Sequence, residues 1–200
     1  WEAFAHGAEA VLYFRWRQAP FAQEQMHAGL LRPDRGDAPA LAEAAQVAEE
    51  LAAIPDVGTA QAQVGLVFDY ASAWAWQVQP QGSGFDYFRV VFEMYRGLRK
   101  LGLDVDILPP DADDLTQYKL VLAPGVLLLS DPFRTALASF HGTALIGPRS
   151  NSKTPELTIP DPLPPNLPDL DLTITRSETF RADMDRPLSK GGHIRHWLDH

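Results

Sequence analysis

The sequence predicts an α/β protein built on an open, doubly wound parallel sheet, and three consecutive segments carry that prediction. Residues 64–68 (VGLVF) form a short apolar run rich in β-branched and aromatic side chains, the pattern of a strand buried on both faces. From Phe85 the period changes: Phe85, Phe88, Val91, Phe92, Tyr95, Leu98 and Leu101 recur every three or four residues, the stripe of an amphipathic helix. Arg99 and Lys100 in its last turn complement the negative end of the helix dipole, and Gly102 supplies a left-handed stop. Residues 103–108 then set apolar side chains against Asp104 and Asp106, a second strand. Strand, helix and strand in this order make a βαβ unit, whose two strands lie parallel and are joined by a right-handed crossover.

The remaining elements follow in chain order. Residues 1–10 (WEAFAHGAEA) read as the end of a helix closed at Gly7, and residues 11–16 (VLYFRW) as a strand. An irregular segment over 17–39 leads to a second helix over 39–54, with Leu41, Ala45, Ala48 and Leu51 on one face. This opening α-β-α piece is no domain by itself, because a single strand leaves both its edges and both its faces without partners. After the βαβ unit come an acidic turn over 111–117, a third strand over 119–123, a helix over 130–140 capped by Ser130, and a fourth strand over 144–147. The expected strand order is 2-1-3-4. Six prolines between Pro155 and Pro168 exclude a helix there. One more strand is expected over 170–175, and the rest shows no clear period.

Composition narrows the function. Seventeen basic against 26 acidic residues give a formal charge of −9 with no basic stripe, which argues against nucleic acid and anionic membranes as partners. The absence of cysteine removes disulfides, thiolate metal sites and a cysteine nucleophile. No membrane-length apolar run or signal peptide is present, and a cytoplasmic location is the expectation. The chain opens at Trp1 inside a helical pattern, so it reads as a piece of a longer protein.

Ligands of an open parallel sheet gather beyond the carboxyl ends of its strands, which directs attention to the loops there. Gly82-Ser83-Gly84 is only a faint phosphate cradle, since it does not lead straight from the first strand into a helix. Pro124-Gly125-Val126-Leu127 stands where an amidotransferase-like fold would place its nucleophile, yet it has no side chain able to attack. Tyr70, Trp74 and Trp76 fall close together on an expected strand-end loop over 69–81; they form either a docking surface or a packing layer under the loop. In residues 15–31 (RWRQAPFAQEQMHAGLL), Glu24 and His27 are three apart, so on a turn of helix they face the same way. They could grip one polar ligand, with Trp16 as an apolar platform, or stand as ordinary residues of a solvated turn. His193, His196 and His200 have helical spacing that could suit a metal, although near a chain end such residues are more often simply exposed.

The runs AVLYFRWRQAPFAQEQMHAGLL and VGLVFDYASAWAWQVQPQG…FDYFRVVFEMYRGLRKLGLDVDILPP together resemble the β-galactosidases of glycoside hydrolase family 42, over most of the chain up to about Thr175. The resemblance implies that residues 1–56 close a catalytic (β/α)8 barrel with its last β-α unit and that 57–62 are a connector. It makes residues 63–178 a flavodoxin-like or class I glutamine amidotransferase-like trimerisation domain. Residues 179–200 are then a tail or the start of a small C-terminal β-domain. It further implies a homotrimer acting on terminal β-galactosides with retention, through two glutamates that precede Trp1. The isolated chain is therefore expected to hydrolyse nothing and to contain no catalytic residue. Glu24 and His27 match the family's galactose-binding pair, with Trp16 beside them, and Tyr70, Trp74 and Trp76 are assigned to the interface. The zinc-binding cysteines of part of the family have no counterpart here, so neither a metal nor another cofactor is implied.

Overall fold

The computed structural model describes residues 1–55, 58, 61–82, 84–181 and 183–200. The chain divides into two compact units, Trp1–Ala60 and Gln61–His200. Of the expected connector, residues 57, 59 and 60 lie outside the described residues.

In the first unit, helix α1 (Glu2–Ala5) is followed by Gly7 at φ 88°, the left-handed turn its glycine permits. Helix α2 (Pro39–Ala53) starts with proline in its first turn, where the missing N–H costs nothing. None of its residues is buried. Leu41, Val47 and Leu51 are half-covered, whereas Ala45 and Ala48, expected on the same face, are exposed. The strand expected over residues 11–16 is absent. Its apolar pattern is real, but a strand exists through pairing and, among the described residues, only the last two of this segment are held, their carbonyls accepting from the Leu30 and Leu31 amides, so Leu12 and Phe14 stand 92% and 66% exposed. Nearby ladder contacts among the described residues are two isolated bridges, Arg17 with Leu31 and Leu31 with Asp37.

The second unit is built on four parallel strands, β1 (Val64–Val67), β2 (Val105–Leu108), β3 (Leu120–Ala123) and β4 (Thr143–Ile146). Their order is β2-β1-β3-β4, as expected. Strand β1 is central, and all four of its residues are buried. Its side chains alternate between faces. Val64 and Leu66, with Leu122 of β3, pack with Trp76, Tyr87, Val91 and Leu98; Val67, with Val121 and Ala123, packs with Phe133 and Ala136. Helices α3 (Tyr70–Val78) and α4 (Tyr87–Lys100) therefore cover one face, and α5 (Asp131–Ala138) covers the other. Ser130 caps α5 by accepting from the Phe133 amide, and Gly102, at φ 76°, ends α4 as expected.

Three expectations about this unit change. Residues 70–78 are a helix rather than part of a loop, because Asp69 caps the segment and its three alanines favour helix. The buried row of α4 is Tyr87, Val91 and Leu98, flanked by Met94 and Tyr95, while Phe88 and Phe92 are 65% and 46% exposed. The apolar arc is wider than the strip the sheet covers, and a step of one residue turns a side chain by about 100°. Finally, residues 170–175 hold only an isolated bridge from Thr173 to Pro165. The strand comes later: β5 (Ser177–Thr179) pairs antiparallel with β8 (Trp197–Asp199), and β6 (Arg186–Pro187) with β7 (His193–Ile194). Trp197 packs its ring 4.9 Å from Phe85 and 5.9 Å from Trp76, which draws the end of the chain onto the α/β core.

Candidate functional site

Residues 15–31 form a loop tied at its neck. The Leu30 amide donates to the Arg15 carbonyl at 3.1 Å, the Leu31 amide to that of Trp16 at 2.8 Å, and the Gln18 amide to that of Leu31 at 2.9 Å. Gly29 makes this approach possible, since a β-carbon there would lie 2.6 Å from the Gln18 nitrogen. At the far end, Gln23–Met26 make a single 3-10 turn, entered through Ala22 at φ 65°. The turn is held by side chains: Gln25 Nε2 donates to the Ala22 carbonyl at 2.8 Å, and Gln18 Nε2 to that of Gln25 at 2.6 Å. Glu24 and His27 both sit here, the His27 amide donating to the Glu24 carbonyl at 3.2 Å. Glu24 Oε2 accepts from Arg15 Nη2 at 2.8 Å, and the His27 ring meets the Phe14 ring edge-on at 5.7 Å. A carboxylate and an imidazole on one exposed turn can accept from and donate to neighbouring hydroxyls of one polar ligand. Trp16, at the neck, is 65% exposed.

The second possible site is the crevice beyond the carboxyl ends of β1 and β3, where the strand order switches direction. The chain itself fills it. Asp69 accepts from the Ala71 and Ser72 amides at 3.0 and 2.8 Å and from Ser72 Oγ at 2.5 Å. Ser72 Oγ in turn accepts from the Leu127 amide at 2.9 Å, and Trp76 Nε1 donates to the Gly125 carbonyl at 2.9 Å. From the loop after β4, Ser150 Oγ donates to the Ala123 carbonyl and the Asn151 amide to that of Val126. A carboxylate already occupies the amides at the start of α3, so an anionic ligand meets a like charge there. Gly82 and Gly84 follow α3 rather than β1, and Ser83 lies outside the described residues. In the turn after β3, Gly125 takes φ 67°.

The three aromatic residues assigned to an interface separate. Tyr70 and Trp74 are 67% and 63% exposed, with rings 6.2 Å apart. Trp76 is a correction: at 3% exposure, bonded to Gly125 and packed in the core, it offers no docking surface. Helical geometry separates them, since positions 70 and 74 share a face and 76 lies about 160° from 74 by the same 100° step. Phe88 and Phe92 extend the surface instead. Phe68 bridges the two helices, 4.9 Å from Tyr70 and 6.1 Å from Phe88, and Phe88 stacks on Phe92 at 6.2 Å. An apolar stripe wider than one helix face was the signal in the sequence. His193 pairs with Asp185 and His200 with Glu178, at 3.0 and 3.1 Å. Among the described residues no cluster of three metal-binding side chains occurs. No helix among them is long and apolar enough to cross a membrane.

The second unit is by class an α/β domain on a parallel four-stranded sheet, with its own side chains in the strand-end crevice and linked aromatic rings exposed on its helices. Comparison with known proteins is more specific. Residues 62–199 match the family model described as the β-galactosidase trimerisation domain, and residues 1–54 match that described as β-galactosidase. A β-galactosidase of Thermus thermophilus is 53% identical over 165 residues, 82% of this chain and 25% of that protein. The Halorubrum lacusprofundi enzyme Bga is 37% identical over 195 residues, 95% of this chain and 28% of that protein. Among solved structures, the β-galactosidase of the psychrophilic Marinomonas ef1 aligns at a TM-score of 0.79 with 38% identity, covering 100% of this chain and 32% of that one. The chain belongs to the β-galactosidases of glycoside hydrolase family 42. It spans about a quarter of the length of the curated relatives it matches.

Proposed function

We propose that this chain is part of a retaining β-galactosidase that removes terminal β-D-galactosyl residues, and that it supplies galactose-binding residues and the trimerisation domain. In this reading residues 1–56 end a catalytic (β/α)8 barrel and 57–62 link it to a flavodoxin-like or amidotransferase-like domain over 63–178. Residues 179–200 form the tail. Glu24 and His27 hold the galactose, beside Trp16. The observation that carries the reading is the presence of Glu24 and His27 on one exposed turn, in a segment matched by the β-galactosidase family model. The acid/base and nucleophile, a carboxyl pair about 5 Å apart in a retaining mechanism, belong to other parts of the protein. Glu24 does not replace either of them, because its carboxylate faces the Arg15 guanidinium instead of a second carboxyl.

The test uses the full-length enzyme that contains this chain. Hydrogen bonds to sugar hydroxyls that strengthen in the transition state support turnover without supporting the fold. Glu24→Ala and His27→Ala should therefore each lower kcat/KM for a chromogenic β-galactoside by roughly tenfold or more, with little change in melting temperature. Kinetics within about twofold of wild type for both variants would remove the assignment.

A further inference from the structure

The loop that presents Glu24 contains a brace running from its neck to its tip. Arg15 is fixed at the neck, where its carbonyl accepts from the Leu30 amide at 3.1 Å and where a β-carbon on Gly29 would come within 2.9 Å of that oxygen. Its side chain reaches the tip and donates from Nη2 to Glu24 Oε2 at 2.8 Å. The guanidinium lies over the Phe14 ring, 5.2 Å from its centre, and the Arg15 side chain is only 27% exposed. Nη1 is shielded from solvent and has no hydrogen-bond partner among the described residues.

Glu24 needs such a brace. It sits on one 3-10 turn of four residues, with φ −87° and ψ 22°, and its side chain is 52% exposed. A short 3-10 turn holds a side chain poorly, and a free glutamate loses rotamer entropy on binding a ligand. The planar guanidinium is pre-organised, so it loses less freedom per hydrogen bond than an ammonium would. It engages Oε2, which leaves Oε1 available to accept from a ligand hydroxyl.

We infer that Arg15 is a positioning residue for sugar recognition, fixing the Glu24 carboxylate in the orientation that receives a galactose hydroxyl. The inference rests on the reading of Glu24 as galactose-binding and adds the residue that makes its geometry. Arg15 acts through Glu24 and not on the sugar, so its contribution disappears when the Glu24 carboxylate is removed.

That dependence supplies the experiment. In the full-length enzyme, Arg15→Met, Arg15→Lys, Glu24→Gln and the two double variants are assayed for kcat and KM on a chromogenic β-galactoside, with melting temperatures alongside. Arg15→Met should lower kcat/KM by roughly tenfold, and Arg15→Lys, which keeps the charge but not the fork, by less. In the Glu24→Gln background either Arg15 change should alter kcat/KM by less than about twofold, the non-additivity expected of two residues acting as one unit. An equal loss in both backgrounds overturns the inference, as does an Arg15→Met enzyme that matches wild type. If Arg15→Met does not fold, the Arg15→Lys cycle decides by the same criterion. A Glu24→Gln enzyme with unchanged kcat/KM brings down the sugar-binding reading itself, and the inference with it, whereas an impaired Glu24→Gln with additive Arg15 effects sinks the inference alone.

Discussion

Tyr87 shows how one side chain can couple this fold to pH. It is 3% exposed, and burial pushes its phenol well above the ordinary tyrosine range, with the Asp69 carboxylate adding to the shift. The folded protein therefore keeps a proton that the unfolded chain releases above about pH 10. A raised folded-state pKa contributes stability that is complete below the unfolded value and is lost as pH rises above it. The urea midpoint should be flat to about pH 9.5 and fall above about pH 10, with a shallower fall in Tyr87→Phe. Tyr118 is shifted in the same direction, mainly by burial, so some slope should persist in that variant. An equal slope in wild type and variant would show that Tyr87 does not carry the effect. The spacing of Glu24 and His27 allowed either a ligand-gripping pair or an ordinary solvated turn, and only the resemblance to the family favoured the first. The Arg15 contact was not legible, because Arg15 and Glu24 stand nine positions apart across an irregular loop, a separation with no period to read.

At the scale of the element, α4 separates what periodicity specifies from what it does not. Seven apolar positions at helical spacing identify an amphipathic helix without ambiguity. They do not say which part of so wide an arc meets the sheet. Phe88→Ala should accordingly shift stability by no more than about 0.5 kcal/mol, the usual range for an exposed site. Phe133→Ala should cost about 3–5 kcal/mol, since that ring is 0% exposed and sits in the core against α5's side of the sheet. Denaturant unfolding of the two variants checks both, and a Phe88 effect as large as that of Phe133 would reverse the assignment of faces. Caps were easier to read than faces. Ser130 and Gly102 act within a few residues of themselves, through an amide three positions on and a left-handed turn, so no distant partner is needed to recognise them. Helix α3 is hard to read from sequence because its start depends on a single cap, Asp69, and its apolar content resembles a strand-end loop.

For the whole molecule, the exposed rings Tyr70, Trp74, Phe88 and Phe92 belong to a domain whose family model is described as a trimerisation domain. Large aromatics at an interface centre commonly contribute more than about 2 kcal/mol each. If the full-length protein assembles as the proposed trimer through these rings, Trp74→Ser combined with Tyr70→Ser should shift it toward monomer by at least roughly 30-fold in the association constant, read by sedimentation. Persistence of the trimer in that double variant would place its contacts elsewhere on the domain. Trp76 is expected to affect folding rather than assembly, because its indole bonds Gly125 inside the core.

The sequence by itself determined the α/β class, the parallel order of the four strands and the caps at Ser130 and Gly102. These follow from hydrophobic period, local capping and the rules of βαβ connection, all of which operate over neighbouring residues or one crossover. Only the tertiary structure decided that Trp76 closes the crevice while Trp74 stays outside, that Phe88 and Phe92 face outward, and that residues 177–179 pair with 197–199. Those outcomes depend on which surfaces remain uncovered once the sheet has formed and on strands paired across about twenty residues. Residues 11–16 give the same lesson in reverse, since their strand pattern is plain but a strand takes its backbone hydrogen bonds from a neighbour that the pattern cannot supply.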